Sequence, residues 1–532
     1  MVRSVSAPGR PRGGHREEAI MPLPTLHGDP LGRWTLATVG VVTVLSVVRA
    51  VLPMPWLGDI WRPADTASIA HNFFVGGMNL FYPQIDWGGA GPGYVEAELQ
   101  ILPWLSAALY FVFGEHAWVG RLVSMAFMLA GAAAFWSLGR RILPPDAARW
   151  ALIAFVVSPA VMTWGNAFMP DATVLSFYIA TLACFQRWLT TDRLPWLAAT
   201  AAAAAMAALA KPTSLHVFLT LLIWVLIAAR DRLRRPSLYL AGVAALVAPA
   251  LWLWHARNLY LTYGNTFGLA SGGDSKFGNI GYWTSKLFYT GNVTIETLLI
   301  FGVTGVPLAA LGAWLAWRQR GPVILAAGIP ALVVFYFAVA RYSQEEGPQY
   351  HIFSLPFAAI LTGIGLAGIG QWLRRRSTAT VRVGLAAVAV LALFAASANV
   401  LAQSFRDRSG VYGTCSSLLA QVSAPTDLVM VSTTSESTVR GLPNNFQEPT
   451  IFYLSGRKGW SLAADQHQPA IVRDYVGRGA KYLVVYDPSL VPAASPLSGW
   501  LSRNAEQVRS SAADGCDIWR TRPDAATVSA GS

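Results

Sequence analysis

Charge is what this chain has least of. Asp, Glu, Lys and Arg make up 13% of its 532 residues, about half the share of an ordinary soluble domain. There are three cysteines, Cys184, Cys415 and Cys516, and no Cys-x-x-Cys pair. No His-Glu-x-x-His occurs either, so both common zinc-binding patterns are missing. The Gly-rich loop that cradles nucleotide phosphates is absent, which leaves ATP-driven transport by this chain without support. No Asp-x-Asp appears, which argues against a nucleotide-sugar enzyme built on a bound metal. The net charge of +12 does not point to nucleic acid, because the arginines lie between apolar runs rather than on one soluble face.

Apolar sequence fills the space that charge leaves. Hydrophobic residues are 54% of the chain, in runs long enough to cross a bilayer core. Spans are expected at 34–53, 118–138, 150–164, 172–188, 195–210, 213–229, 237–255, 294–317, 322–340, 352–372 and 381–401. Placed alternately, the short loops of one side hold Arg140, Arg141, Arg149, Arg187, Arg193, Arg230, Arg232, Arg234, Arg235, Arg318, Arg320 and Arg374 to Arg376. Those of the other side hold little more than Lys211 and Arg341. The positive-inside rule then puts the basic tail 1–33 in the cytoplasm, as an uncleaved anchor, and fixes the orientation. The run 99–113 is short for a span, and counting it would turn every later arginine cluster outward. It is expected in the outer interface or as a re-entrant helix, with 66–74 beside it.

The expected architecture is a polytopic α-helical protein of about eleven transmembrane helices, residues 34–402, with its catalytic loop at 54–117 on the outer face. From 403 onward the composition changes. Strands are expected at 427–432 and 481–486 and a helix at 470–479, making a small extracytoplasmic α/β domain with a flexible tail at 525–532. Cys415 and Cys516 both fall in it, either bridged or as two buried thiols.

The ionisable residues converge on one layer, the outer membrane–water boundary. The first outer loop holds Asp59, Asp65, Asp86, Glu96 and Glu98; Asp171 begins the fourth span, Lys211 closes the fifth and Glu296 begins the eighth. A coupled transporter would instead place charge at mid-membrane, on broken helices and repeated halves. Neither is legible here. Transfer of a group from a membrane-embedded polyprenyl phosphate needs a carboxylate to take the acceptor's proton. It also needs cations for the departing phosphate. Asp65 with Glu98 or Glu96 can supply the first, and Lys211, Arg257 and Arg341 the second.

Each residue also has a plainer reading. Asp65 can cap a helix starting at Thr66, Asp171 can cap the fourth span, and Lys211 can snorkel at the interface. Asp59 and Asp86 read as solvated loop acids, and His71, His116, His216, His255 and His351 as structural.

The segments Arg62-Pro-Ala-Asp65-Thr, Asn79-Leu-Phe-Tyr-Pro83 and Glu96-Ala-Glu98-Leu-Gln, followed by Phe113-Gly114 and Arg121, resemble the GT-C class of membrane glycosyltransferases. The likeness is to the branch of protein O-mannosyltransferases and lipid A aminoarabinose transferases. Their acidic motif, commonly Asp-Glu, falls at Asp65-Thr66, so the acid implied in catalysis is kept and the second is lost. A later Glu, usually followed by Pro, falls at Glu96 or Glu98, with the Pro missing. Ala210-Lys211-Pro212 matches a segment that implies a donor-phosphate contact for Lys211, and Arg341 with Tyr350-His-Ile-Phe-Ser-Leu-Pro356 resembles a late Arg and Tyr-x-Leu-Pro segment.

The resemblance implies an inverting transferase that moves a sugar from a polyprenyl phosphate to a glycan, lipid or protein acceptor at the outer face of the cytoplasmic membrane. Asp65, Glu98 and Glu96 are the catalytic candidates, and Arg62, Asp171, Lys211, Arg257 and Arg341 the substrate-binding ones. No metal ligands and no cofactor are expected beyond the lipid-linked sugar as co-substrate. Other partners are the membrane lipids, with no nucleic acid. A transporter or flippase of lipid-linked sugars is the alternative.

Overall fold

The computed structural model describes residues 30–52, 60–269, 276–404, 410–511 and 515–522. Asp59, the C-terminal tail 525–532 and all but the last few residues of the expected basic tail lie outside the described residues.

The apolar runs form helices whose ends follow local chemistry. Pro145 and Pro236 open the helices Pro145–Val156 and Pro236–Tyr263, at positions where a missing N–H costs nothing. Gly264 closes the second at φ 77°, in the left-handed region. Four described helices are long and apolar enough to cross a bilayer: Pro30–Val51, Ala117–Ile142, Pro236–Tyr263 and Pro348–Arg374. A fifth is a bent pair, Lys286–Ile300 with Gly305–Arg318, meeting at 98°. Other expected spans are also helical, among them Asp171–Thr191, Leu194–Ala210, Val323–Ala338 and Ala379–Ser404. The chain is a multi-pass membrane protein.

Two expected spans differ. The one at 150–164 is interrupted, because Pro159 lacks the N–H needed to continue the helix Pro145–Val156 and opens a new one, Pro159–Trp164. The one at 294–317 breaks at Gly302 and Val303, both in left-handed conformations. Before the break, Glu296 opens a π turn, Glu296–Ile300. Its carboxylate accepts hydrogen bonds from the Tyr336 hydroxyl (2.5 Å) and Ser354 Oγ (2.9 Å), and lies 2.8 Å from His351 Nδ1. A broken helix and a polar cluster inside the bundle are thus present where the sequence suggested neither. The cluster anchors the 3-10 turn Pro348–Ser354.

Helices Gly305–Arg318 and Leu355–Arg374 approach backbone to backbone through a reciprocal glycine pair. A Cβ on Gly312 would overlap the Leu361 carbonyl, and one on Gly365 the Leu308 carbonyl. Small residues at such crossings are how helices gain packing where lipid removes the hydrophobic drive.

The run 99–113 forms the helix Ile101–Phe113, about 20 Å long at the usual rise and short of a hydrocarbon core. It packs beside the helix Trp61–Gly76.

The C-terminal domain holds a five-stranded sheet. Lys458–Leu462 lies at one edge, followed by Leu428–Ser432, Ala480–Val485, Cys516–Thr521 and, at the other edge, Ala505–Ser511. The first three strands are parallel and the last two antiparallel. Cys415 and Cys516 are bridged, tying the helix Gly410–Val422 to the sheet.

The edge strand Lys458–Leu462 is capped by the first loop of the helical domain. Gly89 donates its N–H to the Gly459 carbonyl (2.7 Å) and Gly459 donates to the Asp86 carbonyl (3.0 Å). Asp86 is therefore no solvated loop acid. It is buried, accepting from Ser68 Oγ (2.5 Å) and Asn72 Nδ2 (2.9 Å), with Lys458 Nζ at 4.0 Å. The loop and the sheet form one structure because each satisfies the other's backbone groups.

Gly312→Leu or Gly365→Leu should destabilise the folded protein by about 1–3 kcal/mol or more through overpacking. Gly370→Ala, where an added Cβ meets nothing within 4 Å, should be neutral. Thermal unfolding in detergent checks this, and equal midpoints for all three variants would remove the glycine contact as a packing determinant.

Candidate active site

The helix Trp61–Gly76 supplies the first two site residues. Arg62 and Asp65 are three apart, so they share one face. Asp65 is not a cap: the helix begins four residues earlier, with no side-chain cap at Ile60. Its carboxyl is buried, Oδ1 accepts from Trp87 Nε1 at 3.0 Å, and no donor among the described residues reaches Oδ2.

Glu98 reaches the site from the segment that follows the first loop. Leu99 donates to the Leu209 carbonyl (2.9 Å) and Trp252 Nε1 to the Ala97 carbonyl (2.9 Å), which fixes Glu98 against the end of the helix Leu194–Ala210. There its carboxylate forms an ion pair with Arg62. The Arg62 guanidinium also lies over the Phe267 ring at 4.9 Å.

Lys211 follows the last residue of Leu194–Ala210. Its ammonium donates to Asp171 Oδ1 at 2.8 Å and stands 4.5 Å from the Tyr350 ring centroid. Asp171 opens the helix Asp171–Thr191, where the helix dipole favours a negative charge. Its Oδ2 is buried with no donor among the described residues. Neither acid makes a side-chain cap to its helix.

Burial and charge push the first-loop groups apart. Burial raises the Asp65 carboxyl to about 7, against the opposing pull of Arg62 and the Trp87 N–H. Burial is the strongest single influence on Glu98 and would raise it, but Arg62, a backbone hydrogen bond, Lys276 and Lys211 together outweigh it and hold the carboxyl below the usual carboxylate range. Burial works against the charge on Arg62, yet Glu98, Asp65 and Asp171 together keep its pKa above the ordinary arginine value. Near neutral pH one acid is poised to exchange a proton while its neighbour stays charged.

These groups border a cavity of about 1090 Å³. Arg62, Glu98, Asp171, Lys211 and Lys276 are charged members of its lining, and Leu215, Leu219, Leu253, Val334, Phe335 and Val339 apolar ones. Asp65 stands just behind the lining, beside Arg62.

The other sequence candidates lie elsewhere. Glu96 is buried in a two-residue strand, its carboxylate accepting from Thr266, and does not line the cavity. Arg257 is exposed and also outside the lining. Arg341 is fully buried behind the wall, donating from Nη1 to the Pro443 carbonyl (2.9 Å) and from Nη2 to Asn444 Oδ1 (2.8 Å).

Lys276 was not singled out in the sequence. It lines the cavity and donates to the Phe267 carbonyl at 2.8 Å. Its only signal was being a cation in a loop placed on the arginine-poor side. The sequence carried no signal for Trp87, or for the C-terminal-domain residues Thr434, Ser435, Glu436, Val439, Asn444 and Asn445 that complete the lining. Among the described residues, no three His, Cys, Asp or Glu side chains gather in metal-binding geometry.

Residues 100–255 match the family model described as dolichyl-phosphate-mannose-protein mannosyltransferase. No curated protein matches the sequence. Among solved structures, the chain is similar to ArnT from Cupriavidus metallidurans bound to undecaprenyl phosphate, with TM-score 0.64 and 16% identity over 93% of this chain and 99% of that one. It is also similar to the Archaeoglobus fulgidus oligosaccharyltransferase AglB in complex with an inhibitory peptide and a dolichol-phosphate. That match has TM-score 0.54 and 12% identity over 85% of this chain and 69% of that one. The mycobacterial arabinofuranosyltransferase AftD matches with TM-score 0.51 and 15% identity, over 92% of this chain but 40% of its own. The chain has the fold of GT-C class membrane glycosyltransferases of the protein mannosyltransferase and ArnT type.

Proposed function

We propose that this chain is an inverting glycosyltransferase that moves a sugar from a polyprenyl phosphate to an acceptor at the outer face of a cytoplasmic membrane. One observation carries the reading: a cavity lined by three cations together with many apolar side chains, set against a buried carboxyl held near neutrality. The apolar lining suits a polyprenyl chain and the cations suit its phosphate. ArnT, of the same fold, was crystallised with undecaprenyl phosphate.

In this reading the donor phosphate lies against Lys211, Arg62 and Lys276. The Arg62 guanidinium has donors enough to serve the phosphate while it stays paired with Glu98, beside Asp65. An acceptor hydroxyl or amine then attacks the anomeric carbon from the face opposite the phosphate. The bond between that carbon and the phosphate oxygen breaks, and the electron pair leaves on the lipid phosphate, where the cations stabilise it. Asp65 takes the acceptor's proton. Glu98 and Asp171 hold Arg62 and Lys211 in place.

The arginine distribution supports an outward-facing cavity and C-terminal domain, and the bridged cysteines suit an oxidising compartment. Phosphatase reporters fused after Ser404 should be active outside the cytoplasm. Activity only inside would reverse the orientation.

The bent helix pair and the Glu296 cluster favour a second reading, a flippase of lipid-linked sugars. Purified protein given a polyprenyl phosphate carrying a labelled sugar separates the two. The enzyme releases polyprenyl phosphate in detergent micelles, while a flippase leaves the bond intact.

Asp65→Asn should lower turnover by about a hundredfold or more. In the unaltered protein the rate should rise with pH through about 7, as Asp65 loses its proton, and this limb should vanish in the variant. The linkage sign gives a second check. A raised carboxyl pKa means the folded state binds this proton more tightly than the unfolded state does. Stability from this group is present at low pH and lost as pH climbs from the usual carboxylate range through about 7. Asp65→Asn should therefore be at least as stable above that pH. Lys211→Ala should weaken undecaprenyl phosphate binding as well as rate, because a phosphate contact acts in the ground state too. A fully active Asp65→Asn protein would end the assignment of the base.

A further inference from the structure

The C-terminal domain builds one wall of the cavity, and a buried arginine of the helical domain holds that wall in place. Residues 434–445 leave the strand Leu428–Ser432 and run along the cavity as a short hairpin, pairing Thr438–Val439 with Leu442–Pro443. Arg440 and Gly441 turn it in left-handed conformations, at φ 51° and 75°. Its tip meets the helical domain, with Arg440 over the Tyr282 ring at 5.1 Å and Leu442 against the cluster of Tyr282, Phe288 and Ala340.

Both ends of the strap are fixed. On the domain side, Asp465 accepts from Ser437 N (2.9 Å) and Ser437 Oγ (2.6 Å), and Ala464 donates to the Ser435 carbonyl (2.9 Å). On the membrane-domain side stands Arg341, gripping the Pro443 carbonyl and Asn444 Oδ1. Asn444 relays that grip: its Nδ2 donates to the Glu436 carbonyl at 2.8 Å and its N–H to the Ser437 carbonyl at 2.9 Å. The forked guanidinium thus sets where Glu436 stands.

The wall so built differs in chemistry from the rest of the cavity. Thr434, Ser435, Glu436, Asn444 and Asn445 present hydroxyls, amides and one carboxylate, with Val439 the only apolar member. The cations that suit a phosphate are Arg62, Lys211 and Lys276, from the helical domain.

Resting on the glycosyltransferase reading, we propose that residues 434–445 form the acceptor subsite, that they take the hydroxyl-rich end of a glycan, and that Arg341 is a positioning residue for this strap rather than a phosphate ligand. Hydroxyls and amides pair with sugar hydroxyls as donors and acceptors at once, and the Glu436 carboxylate accepts from two neighbouring hydroxyls. An acyl chain finds one apolar contact along this wall.

The test uses full-length protein in detergent and the labelled lipid-linked sugar that accumulates in cells lacking this chain, with membranes of those cells as acceptor. Label should move into the polysaccharide fraction. Recovery in protease-sensitive or chloroform-soluble material would overturn the acceptor class. Arg341→Lys, which has no fork to span two oxygens, and Asn444→Ala, which removes the relay from the exposed side, should both raise the acceptor KM. The rise should be about tenfold to a hundredfold, with undecaprenyl phosphate binding unchanged. Glu436→Gln should raise the acceptor KM about tenfold with the same unchanged binding. A fall in undecaprenyl phosphate binding in Arg341→Lys with normal acceptor KM in Asn444→Ala would return Arg341 to the phosphate and end the proposal. Wild-type protein that neither binds undecaprenyl phosphate nor moves label would sink the glycosyltransferase reading beneath it, a result separate from any of the variant outcomes.

Discussion

The ion pair between Arg62 and Glu98 is the contact on which the rest of the site depends. Two charges are withdrawn from water beside a membrane, and leaving either alone there would be costly. Paired, they fix the segment after the first loop against the helix Trp61–Gly76 and set the electrostatics for Asp65 next to them. Glu98 is held charged by the same guanidinium that only partly offsets the burial of Asp65. A second pair, Lys211 with Asp171, repeats the arrangement in the same lining, with the Tyr350 ring completing the lysine's surroundings. Tyr350 stands in turn on the 3-10 turn anchored by Glu296 and His351.

The cavity belongs to two domains at once. The first loop of the helical domain finishes the edge of the C-terminal sheet through Gly89 and Gly459, and the strap 434–445 returns to finish the cavity wall. This exchange leaves the edge strand without open backbone groups at Gly459 and keeps the strap from being a free loop. It also explains why Asp86 is buried: it lies where loop, helix and sheet meet, and Ser68 and Asn72 satisfy it.

Helix positions were largely legible in the sequence because a run of apolar residues between arginine clusters leaves few other structures. The breaks were not. Pro159 was a visible signal, but the turn at Gly302 and Val303 follows a π turn opened by Glu296, whose partners Tyr336, Ser354 and His351 come from distant parts of the chain. Among the candidates, Glu98, Asp171 and Lys211 stood out by charge beside apolar sequence and Arg62 through the family-like segment, and the structure gathers all four in one lining. Asp65 was found the same way and stands one step behind them. Glu96 and Arg257 carried the same signal and lie outside the cavity, since charge next to a span says nothing about which way a side chain turns. The polar wall was invisible for the opposite reason: Thr434, Ser435 and Asn445 are ordinary in a soluble domain, and only the fold carries them to the membrane domain.

The claim at the centre is that burial and Arg62 separate two neighbouring carboxyls into a proton acceptor and a permanent charge. Infrared difference titration of the carboxyl stretch, comparing unaltered protein with Asp65→Asn and with Glu98→Gln, reads this without substrate. The account predicts that a protonated-carboxyl band titrating at about 7 disappears in Asp65→Asn and persists in Glu98→Gln with its midpoint moved. No such band, or one lost only with Glu98→Gln, would contradict it.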